Sequence, residues 1–293
     1  MPTATSAAPA TSDGAQAPGP AGPSPHRAGD ARYRILGPLE IRLGDHWLPV
    51  RQPKWRSLLA TLLVEANRVV PVTRLVAQLW GERPPPSAAK LVQLYAGRLR
   101  RTLHDPDGAR LVTRSPGYQL RTVSGELDRD VFDDHLRAGE RALDAGDAEQ
   151  SLRRLDAALS LWSGPAFGDI SGVPVVDAER MRLEELRLSA METRVDALLA
   201  CQRYLAVLPD LTALVVDHPL RERLRGQLML ALYGAGRQAD ALATYRDLQR
   251  RLDTELGIQP APSVQRLHLA ILRADPTLEH HGLHWTASGP PAW

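Results

Sequence analysis

Between Ser87 and Leu103 the apolar positions recur at helical spacing. At about 100° per residue, Ala88, Val92, Tyr95, Ala96, Leu99 and Leu103 form one stripe. Lys90, Leu94, Gly97 and Arg101 point the other way, flanked by Gln93 and Arg98. A solvated helix face ordinarily mixes acids and bases, yet no acid occurs between Glu82 and Asp105. Upstream, Ile35, Leu39, Ile41 and Leu43 read as short strands interrupted at Gly37-Pro38 and Gly44-Asp45. Trp55, Leu58, Leu59, Leu62 and Leu63 predict a helix that stops near Asn67. Thr73 is expected to cap a short helix ending at Gly81. Pro84, Pro85 and Pro86 stiffen the next turn, and Ser87 is placed to cap the basic helix. Residues 110–123 read as two strands around Ser115-Pro116-Gly117. In this order of elements the first of two adjacent helices braces the second, and the closing hairpin forms a wing.

From Leu127 the pattern becomes helical throughout. Residues 128–273 form a second unit, with loops at Ser163–Pro174 and near Pro209 and Pro219. Related stretches begin at Gly146, Gln202 and Gly236, the last two 34 residues apart, as in tetratricopeptide-type helical hairpins. Ala231, Ala239 and Ala243 are expected to allow close helix approach, with Leu232, Leu242, Tyr245 and Leu248 filling between. Residues 1–31 and 276–293 are poor in large apolar side chains and read as disordered tails. His280, His281 and His284 in the second tail lack a rigid element to assemble them around a metal.

Net charge is only +2, but it is divided unevenly. Residues 32–122 carry 16 Lys and Arg against 6 Asp and Glu, whereas residues 123–293 carry 19 against 26. A basic unit joined to an acidic one suggests a polyanion for the first and protein or small-molecule contacts for the second. Only Lys54 and Lys90 among the 36 basic residues are lysine. Arginine suits phosphate and guanine, although codon usage in a GC-rich genome produces the same bias. Cys201 is the sole cysteine, so a disulfide framework is excluded, and its apolar helical context suggests a small buried side chain. The chain shows neither a membrane-spanning apolar run nor a secretory leader, and a cytoplasmic, nucleoid-associated protein is expected.

The chemistry these residues offer is that of nucleic-acid recognition. Arg98 and Arg101 suit phosphate or guanine O6 and N7, Gln93 suits adenine N6 and N7, and Lys90 suits a base edge or phosphate. Arg100, nearer the edge of the face, is also within reach of phosphate. Leu94 suits a thymine methyl, and Gly97 leaves room for close approach. Lys54 and Arg56 sit where a helix N-terminus favours phosphate. In the wing, Arg114 is the better candidate, with Tyr118 expected to pack and Arg121 placing charge near the backbone; Trp80 is expected in the core. Asp128, Asp130, Asp133 and Asp134 have no histidine pair beside them and are read as capping or solvated acids. No catalytic constellation, metal site or cofactor motif stands out, so an enzyme is not expected.

These pieces together resemble a known family. RYRILGPLEI, LWGERPPPSAAKLVQLYAGRLRRTL and LVTRSPGYQL, followed by LDRDVFDDHLRAG, HPLRERL and ELGIQP, are similar to the Streptomyces antibiotic regulatory protein (SARP) family over about residues 32–273. The resemblance implies an OmpR-type winged helix at 32–122 and a bacterial transcriptional activation domain at 128–273. It thus implies a mainly α chain with small β elements and a tetratricopeptide-like helical domain. It also implies activation of a biosynthetic gene cluster, side-by-side binding of promoter direct repeats by two copies, and recruitment of RNA polymerase holoenzyme. Larger members append an ATPase, and no GxxxxGK[ST] occurs here. Leu91 and Leu94 depart from the smaller polar residues common in such helices. Two other readings remain open: a tetratricopeptide-like protein-interaction adaptor, and a regulator whose helical domain senses a ligand.

Overall fold

The computed structural model describes residues 32–276 and 278. The expected tails therefore lie almost wholly outside the described residues, as do His280, His281 and His284. The chain opens with an antiparallel sheet of β1 (Tyr33–Arg34), β2 (Glu40–Leu43) and β3 (His46–Pro49), in that order. The two-residue turn at Gly44-Asp45 pairs Leu43 with His46. Three helices follow: α1 (Pro53–Val64), α2 (Val72–Trp80) and α3 (Ala88–Thr102). The wing consists of β5 (Leu111–Arg114) and β6 (Gly117–Leu120), and β6 also pairs with β4 (Val70–Pro71).

β4 runs directly into α2. Pro71 pairs with Gly117, and the Val72 N–H donates to the Pro116 carbonyl at 3.1 Å. The helix therefore opens at Val72, and Thr73 lies inside it rather than capping it. Ser87 does occupy the N-cap position of α3, but its hydroxyl makes no capping bond. Close packing at β4 leaves no space at Gly117, where a Cβ would stand 1.8 Å from the Val70 carbonyl oxygen.

The second unit contains α4 (Asp128–Asp144), α5 (Ala148–Leu159), α6 (Pro174–Ala200), α7 (Tyr204–Asp217), α8 (Glu222–Gly234), α9 (Gln238–Leu256) and α10 (Pro262–Leu272). The repeat signal marks real turns. Gly146, Gln202 and Gly236 each take a positive φ, of 80°, 55° and 76°. The next residue in each case (Asp147, Arg203, Arg237) donates its N–H back to the last turn of the preceding helix, at Ala142, Leu198 and Leu232. Three helical hairpins thus share one hinge geometry. Ala231 and Ala241 are the buried small residues, whereas Ala239 and Ala243 face outward. Pro209 lies within α7 and not in a loop. The N–H it lacks would have bonded the carbonyl of Leu205, an exposed residue, so the helix continues past it. Cys201 is half-buried at the end of α6, and burial pushes its thiol pKa up.

The hydrophobic interior does not divide at Leu127. One core joins Leu58, Leu62, Val92 and Leu99 of the first unit to Phe132, Leu155, Phe167, Leu183 and Ala190 of the second. A separate core, which begins with Leu143 and Leu152 and ends at Leu278, holds α7–α10. Helices α4, α5 and α6 each reach both. Polar ties cross the same boundary. Asp128, 2% exposed at the start of α4, accepts the backbone N–H groups of Ile35 and Leu36 at 2.9–3.0 Å, and that of Arg129 at 2.9 Å. It is neither solvated nor a simple cap; burial pushes its carboxyl up to about 7 against the pull of those three donors. Asp169 accepts the Leu39 N–H at 2.9 Å and pairs with Arg56 at 3.0 Å. The Val175 N–H donates to Gln78 at 2.9 Å.

Candidate nucleic-acid interface

Helix α3 is built from its two faces outward. Ala88, Val92, Ala96 and Leu99 are buried, and Leu103 follows at the C-cap. Tyr95 is half-buried and stacks on Trp80 of α2 with ring centroids 6.2 Å apart. That anchorage presents Lys90, Gln93, Leu94, Arg98 and Arg101 to solvent, with Gly97 between them. Leu94 is 51% exposed, far beyond what an apolar side chain gains from packing here. Nothing lies within 4 Å of where a Cβ would sit on Gly97.

Among the described residues, no acid and no hydrogen-bond acceptor holds the charged ends of Lys90, Arg98, Arg101 or Arg114. In α8 and the residue before it, by contrast, arginines are neutralised: Arg221 by Glu185 and Glu192, Arg223 by Asp196, Arg225 by Asp247. The exposed face of α3 therefore keeps its full positive charge. Arg100 and Arg101 also complement the negative end of the helix dipole. Arg114 stands at the end of β5 next to the wing tip, where Ser115 and Pro116 are exposed. Arg121 follows β6 at the base of the hairpin, away from that tip. Tyr118 is buried, as its expected packing role requires, and burial pushes its phenol pKa up while Arg100 pulls it back.

Three cations expected at phosphate have other partners. Lys54 donates its Nζ to the Leu79 carbonyl at the end of α2 and lies 5.5 Å over the Trp80 ring. Arg56 is drawn into the Asp169 pair by the downstream loop. Arg100 turns off the exposed face of α3: its guanidinium bonds the Leu111 carbonyl at 2.9 and 2.7 Å and Thr113 Oγ1 at 2.7 Å. These side chains hold elements together, Arg56 and Arg100 half-buried and Lys54 still exposed. Asp105 belongs with them, since its buried carboxylate accepts the N–H groups of Arg110 and Leu111 at 2.9–3.2 Å. Residue-type patterns gave no sign of these roles, because each partner lies across a loop.

A family model described as "Bacterial transcriptional activator domain" matches residues 127–272. Another, "Transcriptional regulatory protein, C terminal", matches residues 50–120. The regulatory protein AfsR of Streptomyces griseus is 41% identical over 87% of this chain, which spans only 26% of AfsR's length. The regulatory protein DnrI of Streptomyces peucetius is 35% identical over 86% of this chain and 95% of DnrI. The solved structure of Mycobacterium tuberculosis EmbR in complex with a low affinity phosphopeptide superposes with a TM-score of 0.81 at 33% identity. That match covers 90% of this chain and 74% of the EmbR chain. AfsR and DnrI are regulatory proteins rather than enzymes by name, and no helix among the described residues is long and apolar enough to cross a membrane. With DnrI covered almost end to end and both domain types in register, the chain belongs to the Streptomyces antibiotic regulatory protein family of transcriptional regulators, an OmpR-type winged helix joined to a bacterial transcriptional activation domain.

Proposed function

We propose that the chain is a sequence-specific, promoter-binding transcriptional activator of a biosynthetic gene cluster. Helix α3 enters the major groove, and the β5–β6 wing lies against the neighbouring backbone. The observation that carries this reading is the acid-free face of α3, on which Lys90, Arg98 and Arg101 have no partner among the described residues. A helix about 10–12 Å across fits a major groove about 12 Å wide. Gln93 and Leu94, exposed between the cations, supply an adenine-reading amide and a surface for a thymine methyl. Arg114 supplies the wing contact with phosphate. One such helix reads only a few base pairs, so two copies side by side on a direct repeat give the needed specificity. The helical domain, acidic and built from tetratricopeptide-like hairpins, is the surface for RNA polymerase. The protein acts in the cytoplasm, at the nucleoid.

Footprinting tests the reading. On the promoters of the neighbouring gene cluster, two protected segments about one helical turn apart, or a multiple of it, are expected. Affinity should fall steeply with salt, by about 0.9 log units per log unit of salt for each phosphate neutralised. Equal binding to promoter and coding fragments would reject the proposal.

Gly97→Ala separates fold from function. The Cβ meets open space, so the helix gains stability, by about 1 kcal/mol. The same methyl intrudes on a groove approached at close range, so promoter affinity is expected to drop about tenfold. Thermal melting and fluorescence anisotropy on one preparation read both quantities; a variant with higher Tm and unchanged affinity places Gly97 away from DNA.

A further inference from the structure

We propose that Arg100 is a positioning residue of this interface, setting the wing at its angle to the recognition helix without touching DNA itself. The inference rests on the reading of α3 and the wing as the DNA-binding elements. Arg100 leaves the last turn of α3 and crosses the Asp105–Gly108 loop to β5. Its Nε and one terminal nitrogen both donate to the Leu111 carbonyl, and that terminal nitrogen also reaches Thr113 Oγ1. A planar fork with donors in fixed directions ties two elements at a set angle, which a lysine ammonium on a flexible stem does not do.

The surroundings hold the fork in place. Gly108, at φ +64°, lies flat against it, and a Cβ there would stand 3.1 Å from Arg100 Nε. The Arg100 carbonyl accepts the Asp105 N–H, and Asp105 in turn accepts the N–H groups of Arg110 and Leu111. The end of α3, the loop and the start of β5 thus form one braced corner. Arg114 lies at the far end of the same strand, three residues beyond Leu111. A small rotation at the corner moves its guanidinium relative to Arg98 and Arg101. Loss of Arg100 therefore removes the Arg114 contact indirectly.

The test compares Arg100→Ala, Arg100→Lys, Arg114→Ala and Arg101→Ala in the full chain, with Thr113→Val as a milder variant. In the free protein, amide exchange across residues 111–120 should quicken about tenfold in Arg100→Ala, and also in Arg100→Lys, since the ammonium does not reproduce the fork. Promoter affinity should fall about tenfold in both, and adding Arg114→Ala to Arg100→Ala should cost nothing further, because the two act through one contact. Adding Arg101→Ala should multiply the loss. Full affinity in Arg100→Lys, or independent effects of Arg100→Ala and Arg114→Ala, would make Arg100 a direct phosphate ligand and overturn the proposal. Should Arg100→Ala fail to fold, the lysine and Thr113→Val variants decide by the same readouts, and wing exchange as slow as in the wild type in both overturns it. Arg101→Ala with unchanged affinity rejects the DNA-binding reading instead, and the exchange data from free protein still report on the corner.

Discussion

Replacing Arg98 and Arg101 together with alanine is expected to lower promoter affinity about a hundredfold at physiological salt, each contact contributing about 1–3 kcal/mol. Both side chains are exposed on α3 and neither has a partner among the described residues, so nothing described in the fold opposes their transfer to DNA. The fold loses little: Arg98 lies away from caps and core, and Arg101 gives up only its favourable place at the helix C-terminus, about 0.3–1 kcal/mol. The double variant should therefore melt close to the wild type. Its binding isotherms, measured between low and moderate salt, should also flatten, with the slope reduced by about 0.9 for each phosphate contact removed. Unchanged affinity together with an unchanged slope would take the recognition face away from α3.

Asp128→Ala acts on the fold rather than on the exposed face of α3. The carboxylate binds the backbone N–H groups of Ile35 and Leu36 from the first residue of α4. Truncation leaves two buried donors without an acceptor, which costs about 3 kcal/mol in all. Because Ile35 and Leu36 belong to the core that spans both units, the chain should unfold earlier as a whole, without shedding one domain. Chemical denaturation at about pH 5, where the buried carboxyl keeps its proton, reads the effect, and a loss below about 1 kcal/mol would remove Asp128 from the set of stabilising contacts. The pH dependence has a defined sign. The folded carboxyl titrates at about 7, above the 3.8 of a free aspartate, so the folded state binds the proton more tightly. Its contribution is complete below about pH 4 and is lost as pH rises through 7. Between pH 5 and 8 the wild type should lose more stability than Asp128→Asn.

The face of α3 was legible because it depends on one element alone. Helical spacing sorted Val92 and Leu99 inward and Lys90, Gln93 and Arg101 outward, with no knowledge of neighbours. The hinge turns at Gly146, Gln202 and Gly236 were legible for a similar reason, since a chain reversal leaves a local mark. The roles of Lys54, Arg56 and Arg100 were not. A cation at a helix start or edge looks the same whether it faces phosphate or a carbonyl, and its partner is chosen by tertiary packing. Lys54 finds the Leu79 carbonyl and Arg56 finds Asp169, both on other elements. Asp128 is the opposite case: an acid opening a helix resembles a solvated cap until the segment after β1 closes over it.

Helices α4, α5 and α6 each enter both hydrophobic interiors. A protein built this way holds its far end at a set compass bearing once the near end is seated on the double helix. On the DNA-binding reading, moving its landing site by half a helical turn would swing that far end to the opposite side of the duplex. Transcription driven by such a rigid bracket would therefore rise and fall with helical phase as base pairs are inserted beside the operator, where a tethered pair of domains would respond only to distance.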